Sequence, residues 1–175
     1  MNENIVDIIK RLSIPLIQLS SHDLHDPEVI SCIASRNEST VIYSGYGGVI
    51  LRKKIFMTGK KFLHVHGGYL PDYKGSTTNY YSLLDRNNMG ASSIFLEESI
   101  DCGPILNKKQ FPPPEIRKDI DHLYDSIMRA KVLVETLKEY NENGQFVFGE
   151  STYGRGETYY IIHPVLKHIS ILSKK

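Results

Sequence analysis

The stretch FLHVHGGYLPDYKG, residues 62–75, runs from a short apolar strand into a glycine-rich loop. His64 and His66 lie two positions apart at the end of the strand predicted at 61–65, so their side chains leave the same face of the sheet. Two imidazoles at the carboxyl end of a strand can carry out acid–base chemistry. With further ligands nearby they can instead hold a metal ion. A pair of packed or solvated histidines is equally consistent with the spacing.

Strands on both sides of this stretch also end in glycine-bearing loops. A strand at 40–44 leads into Gly45–Gly48, and strands at 90–96 and 104–110 flank the turn Asp101–Gly103. Helical patterns alternate with these short apolar strands, which predicts a three-layer α/β domain with a largely parallel, twisted sheet. In such sheets the carboxyl ends of the strands meet at one edge. We therefore expect the three loops to form one cleft.

The remaining pattern predicts further helices and a C-terminal extension. Residues 1–145 are expected to form the α/β domain, and residues 146–175 are expected to pack on it as a hairpin followed by a helix. The periodicity and the capping residues predict helices at 3–12, 27–35, 51–57, 76–87 and 118–142, a short strand at 14–19, a hairpin within 146–162 and a last helix after Pro164.

Composition limits the classes of partner. The 175 residues suit one domain, and 21 Lys and Arg nearly balance 20 Asp and Glu, for a net charge of +1. This charge gives no electrostatic case for nucleic acid or for an anionic membrane. Two cysteines without zinc-binding spacing suit a reducing compartment, so we expect a cytoplasmic protein without a metal centre. No apolar run is long enough to span a membrane.

Asp101 is the third residue of chemical interest. An Asp before Cys-Gly-Pro in a tight turn is often only a turn former. The alternative is a carboxylate that orients a histidine and stabilises its positive charge. The spacing leaves both interpretations open.

Three segments together resemble the folate-dependent formyltransferases. Residues 62–75 resemble the family's signature around its catalytic histidine. LEESIDCGPIL, residues 96–106, resembles its second block, an Asp-x-Gly-x-Ile turn after an apolar strand. YSGYGGVIL, residues 43–51, resembles the strand and loop that precede the signature, and the likeness covers about residues 14–110. Two motifs at the right spacing are far more specific than one.

The resemblance implies a Rossmann-like formyltransferase fold and transfer of a formyl group from 10-formyltetrahydrofolate to an amine. The family's Asn, His and Asp trio falls on His64, His66 and Asp101. By the same likeness two loops form the walls of a folate pocket, although the first is also consistent with a plain turn. The expected co-substrate-binding residues are Gly47, Gly48, Val49, Ile50 and Leu51 from the first loop, and Glu98, Ser99 and Ile100 from the second.

The chain departs from the family at two places. His64 stands where the family has Asn; an imidazole can still stabilise an oxyanion there, so we expect His64→Asn to keep or raise the rate. Compared with the family's pattern, we also expect the chain to lack an N-terminal strand, a glycine-rich turn, a helix and a second strand. Either 14–19 then packs against 41–44, or a second copy completes the sheet in a homo-oligomer.

The resemblance is consistent with several substrates as the acceptor of the formyl group. The missing turn argues against glycinamide ribonucleotide, and the neutral charge argues against tRNA. A small amine remains, with a nucleotide-linked amino sugar preferred. Tyr69, Lys74, Gly75 and Thr77 are the expected substrate-binding residues, since aromatic faces and hydroxyls suit sugars and Lys suits a phosphate. Two alternatives stay open: a formyltetrahydrofolate hydrolase, and a shortened binding domain without catalysis.

Overall fold

A computed structural model describes residues 4–46 and 48–173 of the chain. Among these residues, a four-stranded sheet carries the domain, and a two-stranded sheet lies beside it. The strands are β1 (Thr40–Tyr43), β2 (Lys61–His66), β3 (Tyr73–Gly75), β4 (Met89–Phe95), β5 (Ile105–Phe111) and β6 (Glu157–Tyr159). The helices are α1 (Ile5–Arg11), α2 (Pro27–Ala34), α3 (Lys53–Phe56), α4 (Thr78–Arg86), α5 (Asp125–Asn143) and α6 (Pro164–Leu172).

The main sheet has the order β1-β2-β4-β5, and it is mixed. The predicted α/β class is confirmed, and the predicted parallel pairing is found between β1 and β2. The pairings of β2 with β4 and of β4 with β5 are antiparallel, so the sheet is less parallel than expected. The connection from β4 to β5 spans only 96–104, which is too short for the crossover that a parallel pair requires.

Helices cover both faces of the main sheet. On one face Leu63 and Val65 of β2 pack with residues of α5, including Val132 and Leu133. On the other face Phe62 packs with residues of α2 and α3. His64 and His66 alternate to the face of Phe62. Both histidines therefore stand at the end of β2, clear of the core beneath α5.

Two predicted elements are corrected. Residues 14–19 form no strand and pair with nothing in β1; Pro15 lacks a backbone N–H, and Ile14, Leu16 and Ile17 are at least half exposed. Residues 146–162 form no hairpin. Their only strand, β6, pairs in parallel with β3, and Ser151 forms an isolated bridge with Pro104. Long-range hydrogen bonding therefore overrides the local turn signals in this tail.

The long C-terminal helix begins later than its periodicity predicts. A 3-10 turn (Arg117–Asp119) and a π-helical turn (Ile120–Tyr124) precede α5. The helix ends at Gly144, whose φ of +69° lies in the left-handed region that glycine adopts without strain. α6 follows Pro164 as predicted and packs against α4.

Candidate active site

A cavity of about 610 Å³ opens where the ends of β1 and β2 meet the turn between β4 and β5. The three loops that the sequence predicted to converge all line it. Its walls also receive residues from α5 and from the segment around β6, which come from far along the chain. This volume lies in the range of pockets that enclose a drug-sized ligand.

His66 and Asp101 form a buried pair in the wall of this cavity. Their exposed fractions are 5% and 8%. The His66 Nδ1 atom lies 3.4 Å from Asp101 Oδ2, and His66 Nε2 lies 2.8 Å from the backbone oxygen of Tyr73. Both ring nitrogens therefore face acceptors. A neutral ring donates to only one of them, whereas a doubly protonated ring donates to both and carries a positive charge.

Backbone contacts hold Asp101 in place. The Gly75 N–H donates to Asp101 Oδ2 at 2.8 Å, and the hydroxyl of Thr152 donates to the Asp101 carbonyl at 2.7 Å. Asp101 itself has a φ of +50°, which is uncommon outside glycine and for which Asp is one of the tolerated residues. The turn thus aims the carboxylate at His66, so the orienting role suggested by the sequence has a geometric basis.

His64 lines the same cavity with a different hydrogen-bonding pattern. Its Nδ1 lies 3.1 Å from the backbone oxygen of Tyr43, at the end of the neighbouring strand, and an acceptor at that distance requires a proton on Nδ1. Burial lowers the pKa of His64 below its ordinary value; the Tyr43 carbonyl opposes this shift, and His66 adds to it. His64 is therefore a neutral ring at pH 7.

Most of the residues expected to contact the co-substrate line two sides of the cavity. Gly48 to Leu51 line one side of the cavity, and Glu98 to Ile100 line another. Gly47 lies outside the described residues. Val49, Ile50 and Ile100 are each between 40% and 55% exposed, so a large apolar ring system in the cavity would cover them. This lining fits the flat heterocycle of a folate.

The expected acceptor residues divide into two pairs. Gly75 and Thr77 line the cavity, but Tyr69 and Lys74 do not. Lys74 is buried within β3, where side chains alternate, so it points away from the side on which Gly75 meets the cavity. Tyr69 lies instead under Lys108, whose Nζ is 4.9 Å from the ring centroid. The sequence pattern showed the loop but not the short strand within it.

A charged group at the start of α5 was not predicted. Asp125 binds the Arg129 guanidinium, with Arg129 Nε 2.7 Å from Asp125 Oδ2, and accepts from the Asn79 side-chain amide at 3.1 Å. All three residues line the cavity. The Asp-x-x-x-Arg spacing of a helical ion pair was visible in the sequence. Its place in the cavity wall was not, because it depends on how α5 crosses the sheet.

The tail supplies further unpredicted lining residues. β6 brings Thr158, Tyr159 and the following Tyr160 and Ile161 to the cavity. The Tyr159 backbone oxygen lies 2.1 Å from the position that a Cβ on Gly75 would occupy, so only glycine permits this approach. Within residues 4–46 and 48–173, no three His, Cys, Asp or Glu side chains are grouped closely enough to hold a metal ion. No helix in the described part of the chain is long and apolar enough to cross a membrane.

A buried His–Asp pair beside a cavity at the ends of sheet strands can carry out acid–base chemistry. The formyl transferase family model matches residues 5–137, and the chain belongs to this family. A methionyl-tRNA formyltransferase from Roseiflexus sp. (strain RS-1) is 26% identical over 132 residues, which is 74% of this chain. The chain spans only 40% of that relative's length.

Solved structures show the same fold at low identity. The formyltransferase PseJ from Anoxybacillus kamchatkensis, in complex with UDP-4,6-dideoxy-4-formamido-L-AltNAc and tetrahydrofolate, matches with a TM-score of 0.62 and 17% identity, over 89% of this chain and 79% of its own. HypX from Aquifex aeolicus, in complex with tetrahydrofolic acid, matches with a TM-score of 0.63 and 15% identity, over 81% of this chain and 24% of its own.

Proposed function

We propose that this chain transfers the formyl group of 10-formyltetrahydrofolate to the amine of a small acceptor, with a nucleotide-linked amino sugar preferred. The observation that carries the proposal is the buried His66–Asp101 pair in the wall of one cavity that both predicted folate loops also line. Membership of the formyl transferase family supports the reaction type. The ligands in the PseJ complex support the acceptor class by analogy.

The chemistry requires positive charge and donors at the reacting carbonyl. When an amine attacks a formyl carbon, the carbonyl oxygen becomes an oxyanion and the nitrogen becomes cationic. His66 lines the cavity, and both of its ring nitrogens face protein acceptors, an arrangement that a doubly protonated ring satisfies. A protonated imidazole at this place stabilises the developing oxyanion electrostatically.

Part of the cavity lining suits a polar acceptor. Thr77 offers a hydroxyl, Tyr159 an aromatic face, and Arg129 a half-exposed guanidinium that can pair with a phosphate. The net charge of +1 gives no comparable field for tRNA. Two free cysteines support a reducing, cytoplasmic setting for the proposed reaction.

The direct test is turnover. Purified chain, 10-formyltetrahydrofolate and a panel of nucleotide-linked amino sugars should give an acceptor heavier by one formyl group in mass spectrometry. We expect Asp101→Asn and His66→Ala each to lower the rate about 10²–10⁴-fold. Asp72→Asn is the matched control, because Asp72 pairs with Arg86 outside the cavity and should keep the rate. Near-normal turnover by Asp101→Asn would show that the site is wrongly assigned.

A binding domain without catalysis is the second candidate. It is favoured by one observation: the Tyr73 carbonyl occupies His66 Nε2, so neither His66 nitrogen offers a lone pair to a substrate. Tetrahydrofolate binding in calorimetry, together with no formylated product from any acceptor, would support this candidate. Formate release without any acceptor would instead identify a hydrolase.

A further inference from the structure

The two histidines of the site differ in which ring nitrogens the protein occupies. In His66 both nitrogens face protein acceptors, the Asp101 carboxylate and the Tyr73 carbonyl. In His64 only Nδ1 is occupied, by the Tyr43 carbonyl. No residue in the described part of the chain hydrogen-bonds to His64 Nε2. That nitrogen lies across the ring from the Tyr43 contact, on a side chain that lines the cavity.

The Tyr43 carbonyl selects the tautomer of His64. A carbonyl oxygen only accepts, so Nδ1 must carry the ring proton. In the neutral ring Nε2 then carries a lone pair instead of a proton, so it cannot donate a hydrogen bond to an oxyanion. The family's Asn position therefore holds a proton acceptor in this chain, whereas an amide would offer a donor.

We propose that His64 is the general base of this site and that His66, held by Asp101, is the charged group that stabilises the oxyanion. This assignment rests on the proposed formyl transfer. It assigns separate roles to two side chains of the trio that the resemblance implies. It also reverses the sequence-based expectation for His64→Asn, which now removes the base.

The surroundings of His64 keep its lone pair available at neutral pH. Burial is the largest influence and lowers the pKa; His66 on the same strand and Arg129 on α5 lower it further. The Tyr43 carbonyl and Asp101 act in the opposite direction and do not outweigh burial. A histidine base with a lowered pKa is deprotonated at pH 7 and loses function as the pH falls through its pKa.

His64 accepts and then returns the proton that the reaction transfers. The acceptor nitrogen forms a bond to the formyl carbon, and the carbonyl electron pair moves to oxygen, where His66 stabilises the charge. His64 Nε2 takes the proton that the nitrogen loses. The tetrahedral centre then releases its bond to the folate nitrogen, and that nitrogen receives the proton from His64. The products are a formamide and tetrahydrofolate, and His64 is neutral again.

The first test needs no turnover. Nitrogen NMR of ¹⁵N-histidine-labelled chain distinguishes Nδ1–H from Nε2–H rings, and comparison with His64→Asn assigns the His64 signals. We expect the Nδ1–H tautomer at neutral pH and a midpoint of protonation below that of an ordinary histidine. An Nε2–H ring at His64 would overturn the proposal, since such a ring presents a donor.

The second test is the pH dependence of kcat/KM between about pH 5 and 8. We expect the kcat/KM of the wild type to decrease as the pH is lowered. His64→Asn should lower the pH-independent value of kcat/KM about 10²–10⁴-fold and should remove the decrease at low pH. Added imidazole should partly restore the rate of His64→Ala, and His168→Asn should match the wild type. An unchanged plateau and acid limb in His64→Asn would overturn the role of His64 alone. No product from the wild type with any acceptor would overturn the proposed function as well.

Discussion

β4 and β1 are both apolar strands of the same sheet, yet their environments are opposite. All seven residues of β4 are buried, whereas none of the four residues of β1 is, and Ile42 of β1 is 48% exposed. β4 lies between two strands and under α5, while β1 pairs with β2 alone among the described strands. Position in the sheet, rather than apolar composition, therefore decides how much a strand contributes to the core.

The largest expected contrast is between matched isoleucines of these strands. Ile94 is fully buried in β4, so Ile94→Ala removes methyl groups and leaves a cavity, and should lower the free energy of unfolding by about 2–5 kcal/mol. Ile42→Ala should change it by less than about 0.5 kcal/mol. Urea unfolding followed by circular dichroism measures both. Equal losses would mean that something covers the outer edge of β1 in solution.

A buried hydroxyl pair provides a second test of β4. Ser93 Oγ and Thr136 Oγ1 lie 2.7 Å apart with almost no exposure, and the Asn107 N–H also donates to Ser93 at 3.0 Å. Ser93→Ala leaves these groups without that partner and should lower the free energy of unfolding by about 1–3 kcal/mol. In a double-mutant cycle with Thr136→Val, a coupling energy near zero would contradict the pairing.

A smaller loss than that of Ile94→Ala is expected near β1, at the start of α2. The Asp26 side chain accepts from the Glu28 N–H at 2.8 Å and caps the helix. Asp26→Ala should lower the free energy of unfolding by about 1 kcal/mol, whereas Asp26→Asn should retain most of the stabilisation that the cap provides. A loss as large as that of Ile94→Ala would show that α2 contributes more to the core than its single buried residue, Val29, suggests.

Local signals predicted the parts of the site that come from short segments. The alternation of His64 and His66, the glycines after β1 and the Asp101 turn were visible in the sequence because each depends on a few neighbouring residues. The cap-and-proline start of α2 and the glycine end of α5 were predicted for the same reason. The late start of α5 was not, because its preceding turns pack against the tail.

Local sequence signals could not predict the contacts between segments that are distant in the chain. β6 was expected in a hairpin but pairs with β3, more than eighty residues away in the chain. Lys74 was expected in the pocket, but its place in β3 turns it inward. Asp125 and Arg129 looked like an ordinary helical ion pair until α5 was placed across the sheet.

The sequence by itself determined the family, the fold class and the three loops that meet at the cavity, since apolar periodicity and short motifs encode them locally. Only the tertiary structure decided the direction of β4 and β5, the residues that β6 and α5 add to the cavity, and the hydrogen-bonding state of the two histidines. The physical reason is that a ring nitrogen becomes a donor or an acceptor according to the atom that faces it. For His64 that atom is a carbonyl twenty-one positions earlier in the chain.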